Sequence, residues 1–386
     1  MIGLLIMSAI QAVSSVVDEL IAIPPFEHSI DTDHIFLNAI REAWKVHFNG
    51  SGGFRNYYSS KGWSSLELPA SFKLEDLPFI HVDVFRERSM ITGKHEDVVL
   101  ELTSSGTGGK KSRNFLDQCS LDRIKKIARN VYDGLGMVSP DDEVNYICFS
   151  YDPKIADDLG TAFTDDLLTS FTSVHSVFYA IRWSKEKNDF FFDAEETLRK
   201  IDLFASEGKP VRFLGFPAFI YRLLGMRKER SMKPVDFGPE SWAMTGGGWK
   251  TFENESISRD LFARLMEEDF GIRSHQVRDL FGMVEHGVPY VQCEKGAFHI
   301  PVYSVPFIRH PLTLKLQPQG EAGLLQLITP YWTSYPALSI LTGDIAAIGP
   351  ECNCGRKGMT LQILGRGGLK KHKGCAIQAA ELLGAS

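Results

Sequence analysis
The chain has 386 residues, of which 44% are hydrophobic and 23% charged, with a net charge of −6 and an isoelectric point near 6.0. That is an ordinary soluble composition, long enough for one large domain or two to three smaller ones, and its acidity argues against a nucleic-acid binder. Six cysteines, at 119, 148, 293, 352, 354 and 375, are too few and too unevenly placed for a disulfide scaffold. They suit a reducing compartment with metal or thiol chemistry, and a cytoplasmic protein is expected.

Met1 to Val17 is apolar, but no Lys or Arg precedes Arg41, and Ser8, Gln11, Ser14 and Ser15 interrupt it. It is too short to span a membrane and reads as a helix packed on the body. Ile35, Phe36, Ala39, Ile40, Trp44 and Phe48 have helical spacing that ends at Asn49-Gly50. Residues 50–65 read as a loop rich in glycine, serine and tyrosine, and 79–84 alternate like a short strand. Leu121, Ile124, Ile127, Ala128 and Val131 predict a helix ended by Gly134-Leu135-Gly136, and 145–149 and 211–215 predict buried strands leading into turns. The charge-dense stretch 184–200 reads as a solvated helix face with its flanking loop. Strands alternating with helices make the expected class α/β.

Between the strand-like Val98–Leu102 and residue 114 lies the most informative stretch, Thr-Ser-Ser-Gly-Thr-Gly-Gly-Lys-Lys-Ser-Arg at 103–113. Glycine lets successive backbone N–H groups converge on one anion. Ser104, Ser105 and Thr107 add hydroxyl donors around Gly106, Gly108 and Gly109, and Lys110, Lys111 and Arg113 add positive charge. The spacing is not that of the Walker loop. Taken alone the stretch reads equally as a flexible turn.

Several segments in order raise the phosphate reading. Ser104–Ser112, Asp279-Leu-Phe-Gly-Met-Val-Glu285, Leu341-Thr-Gly-Asp344 and Gly365-Arg366 resemble the phosphate loop, the Tyr-Gly-x-Thr-Glu segment, the Thr-Gly-Asp segment and the hinge of the adenylate-forming superfamily. Thr245-Gly-Gly-Gly-Trp-Lys250 is similar to a form found in its acyl-protein synthetase branch. Phe281, Val284 and Ser112 depart from the superfamily pattern, as do the glycines after Arg366 that replace the hinge acid.

The resemblance implies a large adenylate-forming domain of mixed sheets and flanking helices over 1–365, and a hinge-like tail over 366–386 in place of a full C-terminal lid. It implies ATP and Mg²⁺ as cofactors and a carboxylic acid, a fatty acid favoured, as substrate. Ser104 to Lys110 would hold phosphates and Glu285 would hold Mg²⁺. Gly246 and Gly247 would admit the adenine, Phe281 would stack on it, Asp344 with Arg366 would take the ribose, and Lys250 would reach the α-phosphate. Met244, Phe216 and Ala218 are candidates for the acyl pocket.

Cys293, His299, Cys352 and Cys354 have the donor types of a closed Cys₃His zinc site, an arrangement similar to that of phenylacetate-CoA ligase-like members of the superfamily. Three free thiols and a surface histidine are the alternative. Cys375, beside Lys370, Lys371, His372 and Lys373, resembles the acyl-accepting cysteine of acyl-protein synthetases, which hand the acyl group to a reductase partner. It would equally serve as a small hydrophobe in a terminal helix. His286 follows Glu285 without a serine-hydrolase elbow, His81 reads as a core or pocket-edge histidine, and Cys119 and Cys148 read as buried. The other readings to weigh are an acyl- or aryl-CoA ligase served by a separate lid, and a non-catalytic nucleotide-binding or scaffold subunit.

Overall fold
The computed structural model describes residues 15–103, 112–152, 155, 160–186, 188–249 and 256–366. The chain opens with three helices, α1 (Val16–Ala22), α2 (Ile30–Gly50) and α3 (Gly52–Ser60). Val17, Leu20 and Ile21 of α1 are buried, as the apolar periodicity predicts; residues before Ser15 lie outside the described part. The loop expected at 50–65 is in large part α3. Ser51 caps it by accepting from the Phe54 N–H, and Phe54 and Tyr58, one turn apart, pack edge-on against Trp44. Glycine and serine content hid that i, i+4 aromatic pair.

Next come β1 (Ile80–His81), α4 (Val84–Glu87), the hairpin β2 (Val98–Thr103) and β3 (Arg113–Asp117), then α5 (Gln118–Gly134). The strand expected at 79–84 is only two residues long, paired in parallel before the chain turns into α4. Helix α5 begins three residues before the predicted stretch, where Asp117 accepts from the Ser120 N–H at 2.8 Å.

A βα alternation follows: β4 (Ser139–Tyr151), α6 (Gly160–Thr169), β5 (Thr172–Ser184), β6 (Asp189–Phe192), α7 (Ala194–Glu207), β7 (Val211–Gly215), α8 (Pro217–Glu229), β8 (Trp242–Gly246), α9 (Arg259–Phe270), β9 (Val277–Phe281) and β10 (Tyr290–Val291). The charged stretch at 184–200 is therefore a hairpin arm plus a half-buried helix. Phe190, Phe191 and Phe192 pair antiparallel with β5, and Thr197, Leu198, Ile201 and Phe204 of α7 face the core. The seven strands lie in the order β10-β9-β8-β7-β4-β5-β6, with β5, β4, β7, β8 and β9 parallel and the two edges antiparallel.

Period two sorts the side chains of this sheet. Tyr146, Cys148, Leu214 and Met244 face one core together with α5 (Ile124, Ile127, Val131), whereas Ile147, Phe149, Phe213 and Ala243 face a second core with α7, α8 and α9.

The rest is β-rich: β11 (Phe298–His299), β12 (Val305–Arg309), β13 (Gly323–Ile328), β14 (Ser339–Gly349) and β15 (Thr360–Arg366). They form a sheet in the order β11-β15-β14-β13-β12, and β1 joins it beside β14. The architecture is the α/β arrangement of mixed sheets and flanking helices expected above.

Candidate active site
A cavity of about 790 Å³ opens where the parallel strands β4, β7, β8 and β9 end at their C-terminal edge. This is where open α/β sheets gather ligands. Its walls bring together Gly246 and Gly247, Glu285, Asp344 and Arg366, from four separate places in the sequence.

The polar end is held by second contacts. Glu285 is buried, and Ser112 donates to its Oε1 at 2.5 Å. Asn114 of β3 donates to the Val284 carbonyl at 2.6 Å, fixing the turn on which Glu285 sits. Thr103 lines the cavity and Ser112 touches Glu285, so the chain enters and leaves the phosphate-like segment at this end. Asp344 and Arg366 are register partners on β14 and β15, with Nε 3.1 Å from Oδ1. Gly247 has φ +76°, and a Cβ there would meet the Phe216 ring at 2.9 Å, so only glycine brings this backbone so close to the cavity. Thr245 donates to Asp279 at 3.1 Å, tying β8 to β9; burial pushes the Asp279 carboxyl up to about 6 against hydrogen bonds from Leu280 and Thr245.

Beneath Glu285 lies His286, fully buried. Its Nε2 is 3.0 Å from Ser304 Oγ and 3.3 Å from Tyr290 Oη, and burial lowers its pKa to about 3. It is a neutral packing histidine of the turn. His81 sits half exposed at the cavity's edge.

Much of the remaining wall is apolar, with Ile124, Ala128, Phe163, Leu168, Leu214 and Met244 among its residues. Phe216 also lines the cavity; Ala218 is buried on α8 and is not among the lining residues. Phe281 is not brought to the lining either: its ring packs on Tyr290 at 6.0 Å, and the neighbouring Leu280 and Gly282 face the cavity instead. Alternation along β9 explains this, since adjacent residues point to opposite faces. Ser104, Ser105, Gly106, Thr107, Gly108, Gly109, Lys110, Lys250 and Cys375 lie outside the described residues.

The four metal-type residues converge elsewhere, beside the β14–β15 turn. The donor atoms of Cys293, His299, Cys352 and Cys354 all lie within 4.8 Å of one another. Two thiolates each about 2.3 Å from one tetrahedral ion would be about 3.8 Å apart. Cys293 and Cys352 Sγ are 3.8 Å apart; Cys354 Sγ and His299 Nε2 are 3.2 Å apart. The Lys295 N–H points at Cys293 Sγ at 3.3 Å. Burial, then Arg356, lower the His299 pKa to about 4, keeping its imidazole neutral and able to ligate. The donor set fits zinc. Cys148 is buried as expected, but Cys119 is exposed at the start of α5.

Sequence reasoning passed over Asn114, Ser150 and Asp165. Ser150 and Asp165 line the cavity, and Ser150 donates to Asp165 Oδ2. An acid on an amphipathic helix reads as a solvent-facing residue, so nothing in the pattern signals Asp165. Asn114 carries no motif at all.

This fold is shared with solved adenylate-forming ligases. The chain superposes over 89% of its length on 2-hydroxyisobutyryl-CoA ligase in a postadenylation state (TM-score 0.67, 15% identity, 69% of that chain). An open form of that ligase, with 2-HIB-AMP and CoA, gives a TM-score of 0.68 at 15% identity, covering 89% of this chain and 76% of the other. The family model "Acyl-protein synthetase, LuxE" matches residues 6–383, and the chain belongs to that family. It is 25% identical over 375 residues to the long-chain-fatty-acid–luciferin-component ligase of Vibrio harveyi, covering 96% of this chain and 94% of that protein. The ligase of that name from Aliivibrio fischeri is 28% identical over 378 residues, with 96% and 95% covered. Among the described residues no helix is long and apolar enough to cross a membrane.

Proposed function
We propose that this ligase activates a fatty acid as its acyl-adenylate and passes the acyl group to Cys375, from which a reductase-type partner takes it. The observation that carries the reading is one cavity whose lining combines the carboxylates of Glu285 and Asp344 with a largely apolar wall. The names of the two bacterial relatives favour a long-chain acid.

Bound ATP supplies the leaving group that a carboxylate lacks, with Mg²⁺ shielding its phosphates. The chain's own residues divide the remaining work. Ser104 to Lys110 grip the phosphates with backbone N–H and hydroxyl donors, and Lys250 neutralises the α-phosphate. Glu285, oriented by Ser112, presents a fixed carboxylate for the metal. Asp344 accepts from the ribose hydroxyls while Arg366 holds it in place. Gly246 and Gly247 leave room for the nucleotide, and the apolar wall takes the alkyl chain and excludes water. Phe281, packed on Tyr290, would form the back of the nucleotide end and not a stacking face. The Cys375 thiolate then displaces AMP, forming the thioester and breaking the acyl–phosphate bond. The Cys293, His299, Cys352 and Cys354 cluster would hold a structural zinc, all four positions being filled by protein.

Fatty-acid-dependent ATP–pyrophosphate exchange tests the first half. Glu285→Gln is expected to lower its kcat on the order of 100-fold. Labelled acid should then appear on the protein as a hydroxylamine-sensitive thioester, and Cys375→Ser should abolish that label while retaining exchange. Absence of exchange with every fatty acid would refute the adenylation reading, and a label that survives in Cys375→Ser would refute the acceptor.

A further inference from the structure
An acid in the wall of an acyl pocket needs a reason. Asp165 lies on α6 and is 6% exposed, with Phe163, Leu167 and Leu168 of the same helix lining the cavity beside it. Ser150 follows Tyr146 and Cys148 on the same face of β4 and extends that face to the cavity. Ser150 spends its proton on Asp165 Oδ2, the only hydrogen bond that this carboxyl group makes among the described residues. Tyr132 of α5 also lines the cavity, buried, with no partner for its hydroxyl. It is near enough to Asp165 for that charge to act on it. A pocket meant only for methylene groups gains nothing from these polar atoms, whose burial without partners is costly.

We propose that Asp165, presented by Ser150, selects an acyl chain that carries a hydroxyl group. This deepens the fatty-acid reading above and rests on it. A hydroxyl has one proton to donate and lone pairs to accept with, which matches one carboxyl oxygen and the Tyr132 hydroxyl. An ammonium would bring three donors into a wall otherwise built from Leu167, Leu168, Met244 and Ile124, leaving donors unpaired.

The position of the hydroxyl follows from sheet geometry. Phe149 pairs with Gly215 and Gly215 with Thr245, so Ser150 and Gly246 stand at one level, two strands apart. That is roughly 10 Å at ordinary strand spacing. With the nucleotide admitted at Gly246 and the carboxylate activated on its phosphate, the selected hydroxyl sits along the chain and not on the carbon next to the carboxylate.

Titration calorimetry of the full chain with dodecanoic acid and its positional hydroxy derivatives tests this. A mid-chain hydroxy acid is expected to bind at least about tenfold tighter than the plain acid, and Asp165→Leu to erase the difference between the two. Ser150→Ala, a smaller change, should weaken the preference even if Asp165→Leu fails to fold. Equal affinity for the paired acids, or a preference that survives both substitutions, would overturn the proposal. Pyrophosphate exchange with the same acids separates the two readings. Selective binding without exchange counts against adenylation alone, whereas exchange that ignores the hydroxyl counts against the selection alone.

Discussion

At the scale of single residues, burial sets the chemistry more than sequence neighbours do. Asp165 has its carboxyl pushed up to about 7 by burial, against a smaller pull from the Ser150 hydroxyl. The ordinary value, 3.8, applies in the unfolded chain, so between pH 3.8 and about 7 the native state binds the extra proton. Its stabilising contribution is therefore whole below that window and is lost as pH rises through it. Asp165→Asn removes the linkage. Its stability relative to wild type should climb with pH by about 1.4 kcal/mol per unit inside the window and level off above pH 7. Urea denaturation across pH 4–8 measures this, and a difference that does not vary with pH would contradict the burial of the group. Glu285, Asp344 and Arg366 were legible in the sequence because each belongs to a short motif with a chemical purpose. Asp165, Ser150 and Asn114 were not, because their importance comes from neighbours that only folding supplies.

Among the elements, the hairpin of β2 and β3 is anchored through the cap of α5. Asp117 accepts from the Ser120 N–H and from the Thr333 hydroxyl, which lies 2.7 and 2.8 Å from its two oxygens. Ser334 Oγ accepts from the Asp117 N–H and donates to the Phe115 carbonyl, at 2.9 and 2.7 Å. One side chain thus caps a helix and fastens the strand that leads out of the phosphate-like segment. Asp117→Ala should cost about 1–3 kcal/mol in chemical denaturation, and Asp117→Asn, which can still cap, clearly less. Equal losses in the two variants would assign the effect to charge and not to capping. Helices α2 and α5 and strands β4 and β7 could be read from periodicity because their apolar faces are long and regular. Helix α3 and strand β6 could not: one hides its aromatic pair among glycines and serines, the other its phenylalanines inside a charged stretch.

For the molecule as a whole, the Cys293–His299–Cys352–Cys354 cluster ties its two large sheets. Cys293 follows β10 at the edge of the seven-stranded sheet, His299 belongs to β11, and Cys352 and Cys354 lie between β14 and β15 of the other sheet. A metal bound only by the folded form stabilises it in proportion to the logarithm of its occupancy ratio. Protein purified without chelator should carry one zinc per chain by mass spectrometry, and Cys352→Ser should lose the metal and melt at a lower temperature. An unchanged melting temperature after complete zinc removal would end the structural role. The sequence pointed to these four residues, but not to their spanning two sheets.

The pairing of Arg366 with Asp344 has a further consequence. Strand β15 is held by this pair at the cavity wall, and Cys375 lies only nine residues beyond Arg366. Even fully extended, nine residues reach about 30 Å. A tether that short confines the thiol to a volume in which a single molecule amounts to a local concentration on the order of ten millimolar. The acyl transfer to Cys375 proposed above would then be first order, insensitive to dilution, and hard for free thiols in solution to outcompete.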